Sequence, residues 1–167
     1  GRGHKPAIRT VDEEWSYGEL AAQVARAGNL LLSLGVAPGD RVLMVVRDCP
    51  EFIALFFGAI KAGIIPVAAN TMLRSQDYTF LIGDCDCKAL VHSADFSDTL
   101  TPAPADSVHC PALILTMEAF AAQAAGQSAE LEAAPATALS ECFWLYSSGS
   151  TGNPKGVVHP HRSMVCT

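Results

Sequence analysis

Charge is scarce in this chain of 167 residues: Asp, Glu, Lys and Arg together make up 17%, and the net charge is only −6. Nucleic acids are gripped by clustered Lys and Arg, so 11 basic against 17 acidic side chains, thinly spread, exclude a polyanion of that kind as partner. Long apolar runs are missing too. The most apolar stretch, FIALFFGAIKAGIIPVAAN, is interrupted by Lys61, Gly63 and Pro66 and falls short of the ~20 clean residues of a membrane helix. The opening GRGHKPAIRT has charge with no apolar stretch behind it, and no secretory leader is expected. No CxxC pair occurs among the six Cys. Cys85 and Cys87 form the only close pair, and a closed zinc site needs about four ligands. Ordinary reduced thiols are the expectation, with metal ligation as the alternative, and a cytoplasm-like reducing compartment follows from them.

Apolar residues, in contrast, are half of the chain, which excludes a disordered tract and supplies one domain with a core. Ser16 and Glu19 have capping-box spacing ahead of a helix whose Leu20, Val24, Leu31 and Leu34 recur on one face. Gly35 is its expected left-handed stop. The run from Asp40 to Val46, DRVLMVV, is continuously apolar after its first two residues and reads as a strand buried on both faces. Pro50 opens a second helix with Phe52, Phe56, Ala59 and Ile60 inward, Gly63 ends it, and IIPVAA is the next strand. A helical segment from Ser75 to Gly83 precedes the strand CKALVHS, and PALILT (111–116) precedes an Ala-rich helix from Met117. Four strands separated by helices predict an α/β fold, a mainly parallel sheet flanked by helices. Residues 121–140, rich in Ala, Gln, Gly, Ser and Glu, read as a surface connection. Trp15 and Trp144 are expected in the core, and Asp48, Asp84 and Asp86 at turns and caps.

Residues 142–161, CFWLYSSGSTGNPKGVVHPH, differ from everything before them. Backbone amides freed by Gly149, Gly152 and Gly156 can converge, and the hydroxyls of Ser147, Ser148, Ser150 and Thr151 add donors that suit phosphate oxygens. Lys155 brings the positive charge. The stretch is not a Walker A loop, because Pro154 rather than Gly precedes the Lys and no Ser or Thr follows it. The β-branched GVVHP behind it predicts a strand, so the segment reads as strand, phosphate loop, strand, the loop mobile until a nucleotide orders it. A solvated Ser/Gly linker is the alternative. His159 and His161 form an HxH pair that Pro160 interrupts, leaving a ligand or acid/base role open against plain packing. Arg74 meets either solvent or a phosphate.

YSSGSTGNPKGVVHPHRS resembles the phosphate-loop signature of the adenylate-forming superfamily, which comprises acyl- and aryl-CoA synthetases, adenylation domains and luciferases. WSYGEL, LGVAPGDRVLMVV and FFGAIKAGIIPVAANTML fall in the order and spacing of that superfamily, and FWLYSSGSTGNPKGVVH is similar to benzoate and hydroxybenzoate CoA ligases. The resemblance implies two steps: a carboxylate attacks the α-phosphate of ATP, giving an acyl-adenylate and pyrophosphate, and CoA then takes the acyl group. It makes Ser147, Ser148, Gly149, Ser150, Thr151, Gly152 and Lys155 the phosphate contacts, with loss of the Lys155 contact costing about 1.5 to 3 kcal/mol.

The superfamily's adenine, magnesium and acyl-pocket motifs lie downstream of its phosphate loop and are not in this sequence, nor is its small C-terminal domain. The expectation is therefore that residues 1–167 are the first α/β portion of the large N-terminal domain, inactive alone, with Mg2+ ligands elsewhere. Apolar strand edges left without partners would then drive self-association. Two alternatives stay open: a stand-alone nucleotide-binding module, and adenylation of a fatty or amino acid for a carrier protein.

Overall fold

The computed structural model describes residues 1–101, 103, 105, 107, 109–147 and 153–165. It opens with a short antiparallel pair, β1 (Pro6–Arg9) and β2 (Glu14–Ser16). Then α1 (Tyr17–Ser33) leads into β3 (Arg41–Val45), α2 (Pro50–Lys61) into β4 (Ile65–Ala68), and α3 (Ser75–Cys85) into β5 (Ala89–His92). The short α4 (Ser97–Leu100), β6 (Leu113–Thr116), α5 (Met117–Ala124), β7 (Glu141–Ser147) and β8 (Lys155–Pro160) follow. Six strands make one sheet in the order β6-β5-β3-β4-β7-β8, parallel throughout except for the antiparallel pair β7–β8.

The apolar runs become strands buried on both faces because successive side chains point to opposite sides. Val42, Met44 and Val46 join Val91 in the core beneath α1, α2 and α5, whereas Leu43, Val45 and Leu90 pack beneath α3 with Tyr78, Leu81 and Ile82. The sheet is thus the middle of three layers.

Helix ends obey local chemistry. Ser16 caps α1 in a reciprocal capping box: its hydroxyl accepts from the Glu19 amide at 3.2 Å, and the Glu19 carboxylate accepts from the Ser16 amide at 2.8 Å. That backbone bond, then the Ser16 hydroxyl, holds the Glu19 carboxyl below its ordinary 4.5. A lowered folded-state pKa gives stability that is complete above 4.5 and is lost as pH falls through the lowered value. Exchange protection in the first turn of α1 is expected to weaken selectively in acid; protection unchanged to pH 2 would contradict this.

Both α1 and α2 stop in a Schellman motif. Gly35 (φ 83°) donates to Leu32 and Val36 to Leu31, while Gly63 (φ 76°) donates to Ile60 and Ile64 to Ala59. Val36 and Ile64, buried against those helices, then start the runs into β3 and β4.

Three expectations are corrected. α3 continues beyond Gly83 to Cys85, because Asp86 takes the left-handed position (φ 47°) that ends it. Arg41 of β3 holds that end, donating to the carbonyls of Cys85 at 2.7 Å and Asp86 at 2.8 Å and pairing with the Asp86 carboxylate at 2.9 Å. Asp84 is consequently a helical residue, not a turn. Trp15 sits half-buried on β2 rather than in the core, since its indole N–H bonds the exposed Glu13 carboxylate at 2.8 Å.

Between α5 and β7 the chain carries no regular element among residues 125–140, yet it is anchored. The Asn29 amide donates to the carbonyls of Ser128 and Glu130, each at 2.9 Å, and Leu131 packs against the core under α1 and α2. This delivers the chain to β7 on the far side of β4.

Candidate phosphate-binding site

β7 and β8 are the two ends of the Gly/Ser/Thr loop. Register pairs Ser147 with Lys155, Tyr146 with Gly156, Leu145 with Val157, Trp144 with Val158 and Phe143 with His159. Ser147 and Lys155 therefore stand directly opposite each other where the loop leaves and re-enters the sheet, both exposed. Cross-strand partners point to the same face, so a hydroxyl and an ammonium side by side can meet one anionic group. Lys155 makes no ion pair among the described residues. Ser148, Gly149, Ser150, Thr151 and Gly152 lie outside the described residues.

The face carrying Lys155 is closed at its other end. His159 stacks on Phe143 with ring centroids 4.6 Å apart and planes 3° from parallel, and Phe143 in turn packs on Phe56 of α2. His161 starts the turn after β8, its amide donating to the Ser140 carbonyl at 3.0 Å. Among the described residues, no group of three His, Cys, Asp or Glu side chains could hold a metal ion.

On the opposite face, Tyr146 covers Gly156. A Cβ on Gly156 would come within 3.1 Å of the Tyr146 ring, so a side chain there would crowd the ring. The Tyr146 hydroxyl donates to the Asp84 carboxylate at 2.6 Å. Burial, then the Asp84 bond, pushes the Tyr146 hydroxyl well above the ordinary phenol range. It is a neutral donor at any physiological pH.

Cys85 and Cys87 are free thiols buried beneath α3. The hydrogen bond with Cys85, then burial, pushes the Cys87 thiol above its usual range. Arg74 is exposed and pairs with Asp77 one helical turn on, at 3.3 Å.

Residues 1–167 match, over the whole chain, the family described as AMP-binding enzyme. The chain belongs to that family. Among curated members of the AMP-binding family, the benzoate–CoA ligase of Thauera aromatica is 38% identical over 172 residues, covering all of this chain and 33% of the relative. The anthranilate CoA ligase AuaEII, solved with anthranoyl-AMP, superposes with a TM-score of 0.90 at 30% identity, over 96% of this chain and 31% of that one. The N-terminal domain of FACL13 from Mycobacterium tuberculosis gives 0.83 at 29% identity, over 92% of this chain and 39% of that one. The chain thus spans about a third of the length of the curated relatives it matches, and its fold is that of part of the N-terminal domain of adenylate-forming AMP-binding enzymes.

Proposed function

We propose that this chain supplies the phosphate-gripping part of an ATP-dependent acid–thiol ligase acting on a benzoate-type carboxylate. The observation that carries the reading is the pairing of Ser147 with Lys155 at the two ends of the SSGSTGNPK loop. In the reaction, a carboxylate oxygen attacks the α-phosphorus of ATP and pyrophosphate leaves, giving the acyl-adenylate. A thiol, here CoA, then displaces AMP to form the thioester. Negative charge grows on the departing β- and γ-phosphates, so donors fixed around them act where the barrier is decided. Lys155 supplies charge, and Ser147, Ser148, Ser150 and Thr151 supply hydroxyls. Gly149 and Gly152, lacking side chains, would let phosphate oxygens reach the backbone amides. Mg2+ would accompany ATP, with its protein ligands outside the described residues.

The aromatic acid is argued from likeness alone: relatives that match this chain over nearly its whole length include benzoate and hydroxybenzoate CoA ligases. The intact protein, given ATP, Mg2+ and CoA with benzoates, fatty acids and amino acids in turn, is expected to form AMP, pyrophosphate and a benzoyl-type thioester. Thioester from fatty acids alone would reassign the acid. ATP binding without turnover of any acid would leave a nucleotide-binding module.

A cytoplasmic setting fits the free thiols, and no described helix is long and apolar enough to cross a membrane. The isolated 167-residue chain is expected to be inactive and to self-associate. Among the described residues β8 has one edge without a strand partner, and Leu145, Val157 and Val158 are 41%, 46% and 44% exposed on the hairpin. Sedimentation should show mass rising with concentration; a monomer at high concentration would refute this.

A further inference from the structure

The hairpin that carries Ser147 and Lys155 has little support from the sheet. β4 pairs with β7 only at Val67↔Trp144 and Ala68↔Leu145, and β8 is the sheet's last strand. Tyr146, Ser147, Lys155 and Gly156 therefore project past the last rung that ties β7 to β4. Two strands paired only to each other twist and bend readily. Something else must fix where their tip points.

Tyr146 is placed to do so. Its ring lies across Gly156, the residue after Lys155, and its own backbone precedes Ser147. Its hydroxyl reaches Asp84, 62 residues earlier, in the last turn of α3. That turn is itself held from the central strand by Arg41, through the carbonyls of Cys85 and Asp86. A continuous chain of hydrogen bonds and contacts thus runs from β3 through the end of α3 and Tyr146 to both ends of the loop.

We propose that Tyr146, held by Asp84, is a positioning residue that sets the place of Ser147 and Lys155 against the β- and γ-phosphates of ATP. The proposal rests on the phosphate-binding reading of this loop. It assigns Tyr146 no contact with substrate. Because Tyr146 and Lys155 point to opposite faces, its effect passes through the backbone of β7 and β8, and it bears on ATP rather than on the acid.

The test uses the intact protein, with ATP–pyrophosphate exchange as one readout, binding of inorganic pyrophosphate as a second and urea unfolding as a third. Tyr146→Phe keeps the ring over Gly156 and removes only the hydroxyl. It is expected to raise the KM for ATP and weaken pyrophosphate roughly tenfold, in line with losing a hydrogen bond to a charged partner, with the KM for the acid unchanged. Asp84→Asn keeps an acceptor and should retain most of the wild-type affinity, while Tyr146→Phe combined with Asp84→Leu should be no worse than either alone. Equal shifts in the KM for ATP and for acid, or additive losses in the double variant, would overturn the proposal as a general loss of structure. Lys155→Ala separates the two readings. If it abolishes exchange while Tyr146→Phe leaves ATP untouched, positioning alone fails. If Lys155→Ala leaves ATP and pyrophosphate unchanged, or the wild type binds neither, phosphate gripping and positioning fail together.

Discussion

Lys155→Ala in the intact protein is expected to lower acid-dependent exchange of pyrophosphate into ATP by about a hundredfold. The magnitude follows from geometry. Lys155 sits at the re-entry point of the loop, opposite Ser147 and without an ion pair among the described residues. Its ammonium is therefore free to meet phosphate oxygens, and a contact made mainly as charge builds on the leaving group lowers the barrier rather than KM alone. Lys155→Arg keeps the charge but spreads it over a planar fork, and should restore part of the rate. The unfolding midpoint of Lys155→Ala should match the wild type, because the side chain is exposed. Exchange within threefold of wild type would remove Lys155 from the phosphates.

The largest loss of stability is expected at the crossing of α1 and α2. A Cβ on Gly58 would lie 2.7 Å from the Val24 carbonyl oxygen, 2.8 Å from the Ala27 Cβ and 2.9 Å from the Gly28 nitrogen. Gly28 is as tight in return: a Cβ there would lie 2.7 Å from the Gly58 carbonyl oxygen. Two helices meet here backbone to backbone, and backbone atoms cannot turn aside as a side-chain tip can. Gly58→Ala gains up to about 1 kcal/mol of helix propensity, but overpacking against fixed atoms costs about 1–3 kcal/mol and wins. Gly58→Leu should exceed that range. Gly126→Ala is the control, its nearest neighbour being 3.6 Å away. Urea unfolding should rank Gly126→Ala near wild type, Gly58→Ala below it and Gly58→Leu lowest; a Gly58→Ala protein as stable as wild type would contradict the close crossing.

Much of this architecture could be read in the chain itself, where the information was local. Short, continuous, β-branched apolar runs such as VLMVV favour strands covered on both sides, and Ser16–Glu19, Gly35 and Gly63 carry their capping chemistry within a few residues. The Ser/Gly/Thr stretch ending in PKGVV marked a loop between two strands, and β7 and β8 are those strands.

What was not legible depends on partners far apart in sequence. Asp84 looked like a turn residue because nothing nearby tells that Tyr146, 62 positions later, donates to it. Asn29 gave no sign of fastening residues 128–130, about a hundred positions on. The β1–β2 pair escaped notice because its strands are only four and three residues long and largely polar, too short for a periodic signal. Trp15 was expected in the core on its size, but its indole N–H found its acceptor on an exposed strand. The contacts of Ser148, Gly149, Ser150, Thr151 and Gly152 with phosphate remain part of the proposed function.

Adenylation itself is tested most directly by following one oxygen atom. Benzoate labelled with 18O in its carboxylate, turned over by the intact protein with ATP and CoA, should yield AMP carrying one 18O. The attacking carboxylate oxygen stays on the α-phosphorus when CoA takes the acyl group. Label in AMP would establish the acyl-adenylate, the chemistry that the role proposed for this loop requires. Thioester formation with 18O in inorganic phosphate and none in AMP would place the attack on the γ-phosphate and contradict it.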